Sequence, residues 1–161
     1  MRFAYADPPY LGQGHRYPEK QEVDHVQLIK DLVAGYPDGW ALSCHSPSLH
    51  VLLPLCPPTV RILAWVKPFA VFKPNVGLAY AWEPLLLHGG RKITRDQPTV
   101  RDWVSANITL KKGLVGAKPI DFCLWLLSVL NVFPEDEIVD LYPGTGVLSA
   151  ALAMRKKSAS L

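Results

Sequence analysis

The stretch "RFAYADPPY" at residues 2–10 places an acid, two prolines and a tyrosine directly after a short apolar run. The run predicts a buried strand over 2–6 that ends at Asp7-Pro8, because proline cannot continue the interior of a sheet. The prolines fix the backbone and remove two N–H donors, which leaves the Asp7 carboxylate and nearby carbonyl groups as acceptors. An exocyclic amine would suit such acceptors, and Tyr10 could stack on a planar ring. A proline-rich turn with a surface tyrosine is the alternative that these residues leave open.

A second strand end carries unusual chemistry at "DLYPGTGVLSAALA", residues 140–153. An acid closes the predicted strand 137–141, glycines allow a tight turn, and a helix begins. The free N–H groups of a helix N-terminus suit a carboxylate or a phosphate. The stretch lacks the third glycine of the dinucleotide fingerprint and the Gly-Lys-Ser/Thr of a P-loop. A glycine turn that simply joins a strand to a helix is the alternative here.

The remaining segments alternate between strand and helix patterns. Helical spacing predicts a helix within 19–37 that stops at Gly35 and Pro37, and another that opens with Ser46 as N-cap and Pro47 in its first turn. Further strands are predicted at 40–44, 59–67 and 83–89, and an apolar helix at 118–130. This alternation, with near-continuous apolar strands, predicts an α/β fold with a mainly parallel sheet and helices on both faces. Such sheets bind ligands beyond the carboxyl ends of their strands.

Composition limits the function classes. The 161 residues are 49% hydrophobic and 19% charged, which predicts one soluble domain over 1–161. The longest apolar run is shorter than the roughly 20 residues of a membrane helix, and the N-terminus has no leader pattern, so we expect neither a membrane partner nor a signal peptide. The three cysteines are widely spaced, which favours a reducing cytoplasm over a disulfide framework. The five histidines show no metal-ligand spacing, so no metal site is predicted.

Positive charge is concentrated in one segment. The net charge is +3, and residues 91–118 hold seven Lys/Arg against two Asp/Glu in a predicted loop. Such a segment suits a polyanion such as nucleic acid. A solvated basic face is the alternative.

Taken together, the two strand-end motifs resemble the amino-methyltransferases of DNA. These enzymes transfer a methyl group from S-adenosylmethionine to adenine N6 or cytosine N4. Residues 7–10 are similar to the catalytic tetrad of this family, and residues 140–146 to its Asp-x-Phe-x-Gly-x-Gly cofactor loop, with Tyr142 in place of Phe. "AKPIDFCLWLL" resembles the Lys-Pro helix of the permuted β class, in which the catalytic motif comes first. "LAWVKPF" and "YAWEPLLLHGGRK" are also similar to small phage and actinobacterial members.

The resemblance implies a Rossmann-like methyltransferase fold and a mechanism. A flipped base would be held at its amine by the Asp7 carboxylate and the Pro8 carbonyl, with Tyr10 stacked on the ring. The nitrogen would attack the methyl group in line, without a metal or a covalent enzyme intermediate. The catalytic residues implied are Asp7, Pro8, Pro9 and Tyr10. Those implied for the cofactor are Ala6, Asp7, Lys118, Pro119, Phe122, Asp140, Tyr142, Gly144, Thr145 and Gly146.

The acid in the tetrad favours adenine N6 as the target, because cytosine-N4 enzymes of this family more often carry Ser there. Cytosine N4 and an RNA or nucleotide substrate stay open as alternatives. Glutamine methyltransferases of proteins use an Asn-Pro-Pro-Tyr tetrad, so the acid and the permuted order speak against them. A non-catalytic remnant that binds DNA or a partner is a further alternative.

The sequence departs from the family pattern in two places. "AMRKKSASL" supplies no acid for the ribose of the cofactor, which predicts a sheet truncated at one edge that a homodimer or a partner subunit could cover. The candidate recognition segment, 89–117, is small, so we expect short or loose specificity for double-stranded DNA. Trp65 and Lys67 could line the base pocket, and Trp103 could stack in DNA or anchor the loop. The candidate phosphate contacts are Arg91, Lys92, Arg95, Arg101, Lys111 and Lys112.

Overall fold

The computed structural model describes residues 1–17, 21–69, 75–108 and 117–158. Within them the strands are β1 (Arg2–Ala6), β2 (Gly39–Ser43), β3 (Arg61–Val66), β4 (Trp82–Gly89), β5 (Trp103–Ser105) and β6 (Glu137–Asp140). The α-helices are α1 (His25–Gly35), α2 (Leu49–Leu52), α3 (Ile120–Val129) and α4 (Val147–Ser158). Short 3-10 turns cover Gly14–Arg16, Ser46–Ser48 and Leu53–Leu55.

The six strands form one sheet with the order β5-β3-β4-β2-β1-β6. β1 is parallel to β2 and β6, and β3 is parallel to β5, whereas β4 is antiparallel to both of its neighbours. Five strands therefore run in one direction and β4 runs against them, which confirms the mainly parallel sheet. β6 pairs only with β1 among the described strands, so it forms one edge of the sheet.

The central strand β1 has a buried side chain on each face of the sheet at every position after Arg2. Phe3 and Tyr5 join the core formed with α3 and α4, while Ala4 and Ala6 join the core formed with α1 and α2. Successive side chains of a strand point to opposite faces, so a run without polar residues requires cover on both. The prediction of helices on both faces is confirmed.

Two sequence expectations were wrong in detail. The predicted helix from Ser46 is broken into a 3-10 turn, α2 and a second 3-10 turn, and Ser46 makes no capping hydrogen bond. Pro54 lies in the last turn, and a proline inside a helix removes a backbone donor and clashes with the preceding turn. The basic segment predicted as loop contains β5, whose three residues pair with β3 from Ala64 to Val66. A strand this short has no periodicity of its own and depends on its partner.

Strand direction decides which residues meet. The carboxyl ends of β1, β2, β3, β5 and β6 and the amino end of β4 lie at one edge of the sheet, here called the site edge. β4 ends at the opposite edge, where Gly89 is paired with Gly39 and the Gly90 N–H donates to the Asp38 carbonyl at 2.8 Å. No helix in the described residues is long and apolar enough to cross a membrane.

Candidate functional site

A cavity of about 590 Å³ lies at the site edge between the ends of β1 and β6. These strands are adjacent and parallel, with Tyr5 in register with Asp140, so the two motifs that follow them must lie side by side. Asp7 and Pro9 line the cavity from one side, and residues 140–145 line it from the other. The size is typical of a small-molecule site, and the position beyond the carboxyl ends of parallel strands is where α/β sheets bind ligands.

The structure brings most of the predicted cofactor residues to this cavity. Those that line it are Asp7, Lys118, Asp140, Tyr142, Gly144 and Thr145. Ala6 and Phe122 are buried in the core, and Pro119 is buried at the start of α3, so none of these three lies among the lining residues. Gly146 is half-buried just before α4 with a φ of 72°, and its N–H donates to the Pro143 carbonyl at 2.7 Å.

One wall of the cavity was missed by sequence reasoning. It comes from the loop between the tetrad and α1, and its members are Tyr17, Gln21, Glu22 and Val23. The Glu22 carboxylate accepts the backbone N–H groups of Gly12 at 2.7 Å and Gly14 at 3.2 Å, which ties this loop to the tetrad. A Cβ at Gly14 would collide with the carbonyl of Gln21. The glycines of "GQG" were the available signal, because a glycine is required where two backbone segments approach so closely.

Lys118 joins the tetrad to a residue that the sequence did not single out, Glu83 at the amino end of β4. The Lys118 ammonium is 2.8 Å from Asp7 Oδ1 and 3.3 Å from Glu83 Oε2, and it donates to the Tyr10 hydroxyl at 3.0 Å. Tyr10 in turn donates to Glu83 Oε2 at 2.6 Å, and Lys67 donates to Glu83 Oε1 at 2.9 Å. The Lys118 side chain is only 5% exposed. Two carboxylates and two ammonium groups therefore form one connected network around the tyrosine.

The network sets the charge state of its members. Burial raises the pKa of Asp7 above its ordinary value, and the ammonium of Lys118 opposes that shift. Burial would lower the pKa of Lys118, but the negative charges around it, that of Asp7 foremost, outweigh burial and raise it. For Glu83, burial favours the neutral acid, yet Lys118 and Lys67 lower its pKa to about 2. Burial and the nearby carboxylates hold the pKa of Tyr10 well above 10. At neutral pH Glu83 is thus an anion, Lys118 a cation and Tyr10 neutral.

Aromatic rings surround the network. The Tyr10 ring is nearly parallel to the His45 imidazole, with an interplanar angle of 6° and a centroid separation of 6.1 Å. His45 also contacts Tyr80, with centroids 4.8 Å apart. Trp65 is buried, donates its indole N–H to the Ala106 carbonyl at 2.8 Å and lies below the Lys118 ammonium. Trp65 is therefore part of the support behind the network.

Lys67 is drawn into this network and is not the solvated lysine that the sequence favoured. Its side chain is only 12% exposed and pairs with Glu83. Among the described residues no group of three or more His, Cys, Asp or Glu side chains could hold a metal ion.

The predicted phosphate contacts do not form one surface. Arg91 donates to both carboxylate oxygens of Asp136, at 2.6 and 2.7 Å, and its guanidinium lies over the Phe133 ring. With Lys92 and Arg95, it follows the carboxyl end of β4 and therefore lies at the edge opposite Asp7. Grouping these three with the tetrad was wrong, because the sequence did not reveal that β4 runs against the other strands.

The other basic residues of the segment are placed differently. Arg101 is exposed, and its guanidinium lies 5.4 Å from the centroid of the Trp103 ring. Trp103 is 42% exposed, so it is not a buried anchor of the loop. That role falls to Trp125, whose indole N–H donates to the Arg101 carbonyl at 2.9 Å. Lys111 and Lys112 lie outside the described residues.

Comparisons with known proteins bear on the fold. A comparison with protein-family models gave no match, and neither did one with curated proteins. Solved structures similar to this chain include M1.HpyAVI complexed with SAM (TM-score 0.66, 13% identity) and M1.HpyAVI alone (TM-score 0.61, 12% identity). A third is a DNA modification methylase of Thermus thermophilus complexed with S-adenosyl-L-methionine (TM-score 0.55, 17% identity). The matches cover 97% of this chain and 78%, 76% and 76% of the respective solved chains. The chain therefore has the Rossmann-like fold of S-adenosylmethionine-dependent methyltransferases.

Proposed function

We propose that this protein transfers a methyl group from S-adenosylmethionine to an exocyclic amine of a DNA base, with adenine N6 as the favoured target. The observation that carries the proposal is the shared cavity, which joins Asp7 and Pro9 to the loop at 140–145. A transfer between two ligands requires that both be held at one place in a fixed orientation. The order of tetrad, Lys-Pro helix and glycine loop along the chain is that of the permuted β class.

The cavity lining suits this cofactor. Among its described lining residues the charged ones are Asp7, Glu22, Asp140 and Lys118, so carboxylates outnumber the single ammonium group. S-adenosylmethionine carries a sulfonium and an amino group, and negative walls favour such cations. The turn before α4 supplies backbone N–H groups of a helix N-terminus for its carboxylate. Asp140, Tyr142, Gly144, Thr145 and Lys118 would hold the cofactor, which supplies an electrophilic methyl group when bound.

The tetrad would position the substrate amine. The Asp7 carboxylate and the Pro8 carbonyl accept its two N–H groups, which turns the nitrogen lone pair toward the methyl group. Lys118 keeps Asp7 ionised and so preserves the acceptor. The raised pKa of Asp7 also suits it to receive the proton that the nitrogen loses after transfer. Tyr10, fixed by Glu83 and Lys118 through its hydroxyl, stacks on the base.

DNA as the substrate is supported by the modification methylase among the similar structures and by the basic segment. Of the predicted phosphate contacts, Arg101, Lys111 and Lys112 stay in the proposal, because Arg91, Lys92 and Arg95 lie at the far edge. The choice of adenine rests on the acid of the tetrad. The unpaired edge of β6 would accept a strand from a second copy or from a partner subunit, which light scattering on the purified protein would detect.

The test begins with calorimetric titration of the protein with S-adenosylmethionine, with and without duplex DNA. We expect binding, and mass spectrometry of digested DNA after incubation should show N6-methyladenine. N4-methylcytosine alone would replace the target, and methylated RNA without methylated DNA would replace the substrate class. Absence of cofactor binding in both titrations would favour the non-catalytic alternative.

Asp7→Ala is the matched variant for the proposed mechanism. It should remove methyl transfer while the protein keeps its fold, because Asp7 lies beyond the end of β1 and not in the core. Circular dichroism would verify the fold, and a tritiated methyl donor would measure the transfer. Retained transfer would rule out the proposed role of the carboxylate.

A further inference from the structure

We propose that His45 is the second wall of the substrate site, so that the target base enters between the Tyr10 and His45 rings. This inference rests on the proposed function, which supplies the planar base. His45 follows the carboxyl end of β2, and β2 is paired with β1 in parallel with Leu42 opposite Ala6. The loop after β2 is therefore brought beside the tetrad by the sheet itself.

The geometry of the two rings fits a planar guest. They are parallel within 6°, and their centroids are 6.1 Å apart. Two rings that enclose a base stand about 7 Å apart, twice the ~3.4 Å spacing of stacked bases. The observed separation is within about an ångström of that span, so a small displacement of the loop after β2 admits a base.

Each ring is held by groups other than its opposite ring. The Tyr10 hydroxyl is fixed by Glu83 at 2.6 Å and Lys118 at 3.0 Å, so the ring cannot swing away without breaking both bonds. The imidazole of His45 is backed by the Tyr80 ring at 4.8 Å. Both Tyr10 and His45 are half-buried, so their faces are open enough to receive a ligand.

The imidazole presents an uncharged face. Burial lowers the pKa of His45, with nearby cations adding to the shift, so the ring is neutral at pH 7 and above. A neutral ring stacks on a base without first losing a shell of tightly bound water. Stacking is indifferent to base identity, so this slot would add affinity and orientation, whereas the acceptors of Asp7 and Pro8 would choose an amine.

The first experiment compares His45→Ala with His45→Phe, using unmethylated plasmid DNA as the substrate. Loss of one base–aromatic stack lowers kcat/KM for DNA by about 5- to 150-fold in His45→Ala, with the affinity for S-adenosylmethionine unchanged. His45→Phe keeps an aromatic face and should recover most of kcat/KM. His50→Ala is the matched control, because His50 is an exposed histidine on α2. Unchanged kcat/KM in His45→Ala, or a Phe variant as impaired as the Ala variant, overturns the inference.

A second readout does not depend on turnover. Histidine-selective NMR of the whole protein is recorded while oligodeoxyadenylate is added, and the His45 signal is assigned by its loss in His45→Ala. A base stacked on the imidazole should shift this signal upfield and leave that of His50 in place. No shift at saturating oligonucleotide overturns the slot. A shift without methyl transfer would keep the slot and refute the enzyme, whereas transfer with an unaffected His45→Ala variant would do the reverse.

Discussion

The ammonium of Lys118, at the start of α3, lies 2.8 Å from the carboxylate of Asp7 at the end of β1. The same ammonium is also bonded to the Tyr10 hydroxyl and paired with Glu83. Three chain segments that are distant in sequence thus meet on one nearly buried cation. This contact holds the tetrad in place and compensates two carboxylates that would otherwise be poorly solvated.

Removal of this cation should therefore cost stability as well as activity. Lys118→Met leaves Asp7 without a counter-ion, and breaking a buried ion pair on one side typically destabilises a protein by about 3–5 kcal/mol. Urea unfolding at pH 7 would measure the loss. Lys30→Met, an exposed lysine on α1, is the control and should change the free energy of unfolding by less than about 0.5 kcal/mol. An equally small effect of Lys118→Met would show that the pair is not compensated charge.

The low pKa of Glu83 predicts how stability depends on pH. Its pKa is about 2 in the folded protein against 4.5 ordinarily, so the folded state favours the anion. That contribution is fully present above pH 4.5 and is lost as the pH falls toward 2. Glu83→Gln should lower the free energy of unfolding at pH 7 by about 1–3 kcal/mol and make its decline between pH 4.5 and 2 shallower. Glu135→Gln, at an exposed glutamate, should follow the wild-type pH curve in the same urea titrations.

The glycine turn after β6 should tolerate a side chain poorly. Gly146 has a φ of 72°, so Gly146→Ala strains the backbone by about 1 kcal/mol or more and should weaken binding of S-adenosylmethionine. Space is not the cause, because a Cβ at Gly146 would meet no atom within 4 Å. Gly35→Ala at the end of α1 also meets no atom, and no positive φ is required there. It should be neutral or stabilising, and calorimetry should find cofactor affinity unchanged. Equal behaviour of the two variants would remove the backbone explanation.

The two halves of the basic segment should contribute differently to DNA binding. Lys92→Ala/Arg95→Ala changes exposed residues at the edge opposite Asp7, so kcat/KM for DNA should stay within about twofold of wild type. Lys111→Ala/Lys112→Ala should weaken binding and reduce the slope of log K against log salt by about 2, one per phosphate contact. Fluorescence anisotropy across a salt series would measure both. A larger slope change in the first pair would mean that DNA reaches the far edge.

Sequence reasoning found the elements that local chemistry specifies. Proline after β1, glycine after β6 and apolar runs on the central strands predicted the strand ends, the two-sided core and the neighbouring motifs. It missed β5 and misjudged the helix after Ser46, because a three-residue strand depends on its partner and Pro54 interrupts the helical turns. It also missed Glu83, which is an ordinary acid in the sequence until β4 is placed against β2 and β3.

The sequence by itself determined that an acceptor-rich tetrad and a glycine loop each follow a buried strand, because proline and glycine fix backbone conformation locally. Only the tertiary structure decided what stands around them. The antiparallel direction of β4 brings Glu83 to the tetrad and carries Arg91 to the far edge. The pairing of β2 with β1 places His45 parallel to Tyr10. These contacts join segments far apart in the chain, and they exist because hydrogen bonding between strands and burial of both sheet faces allow one arrangement of the sheet.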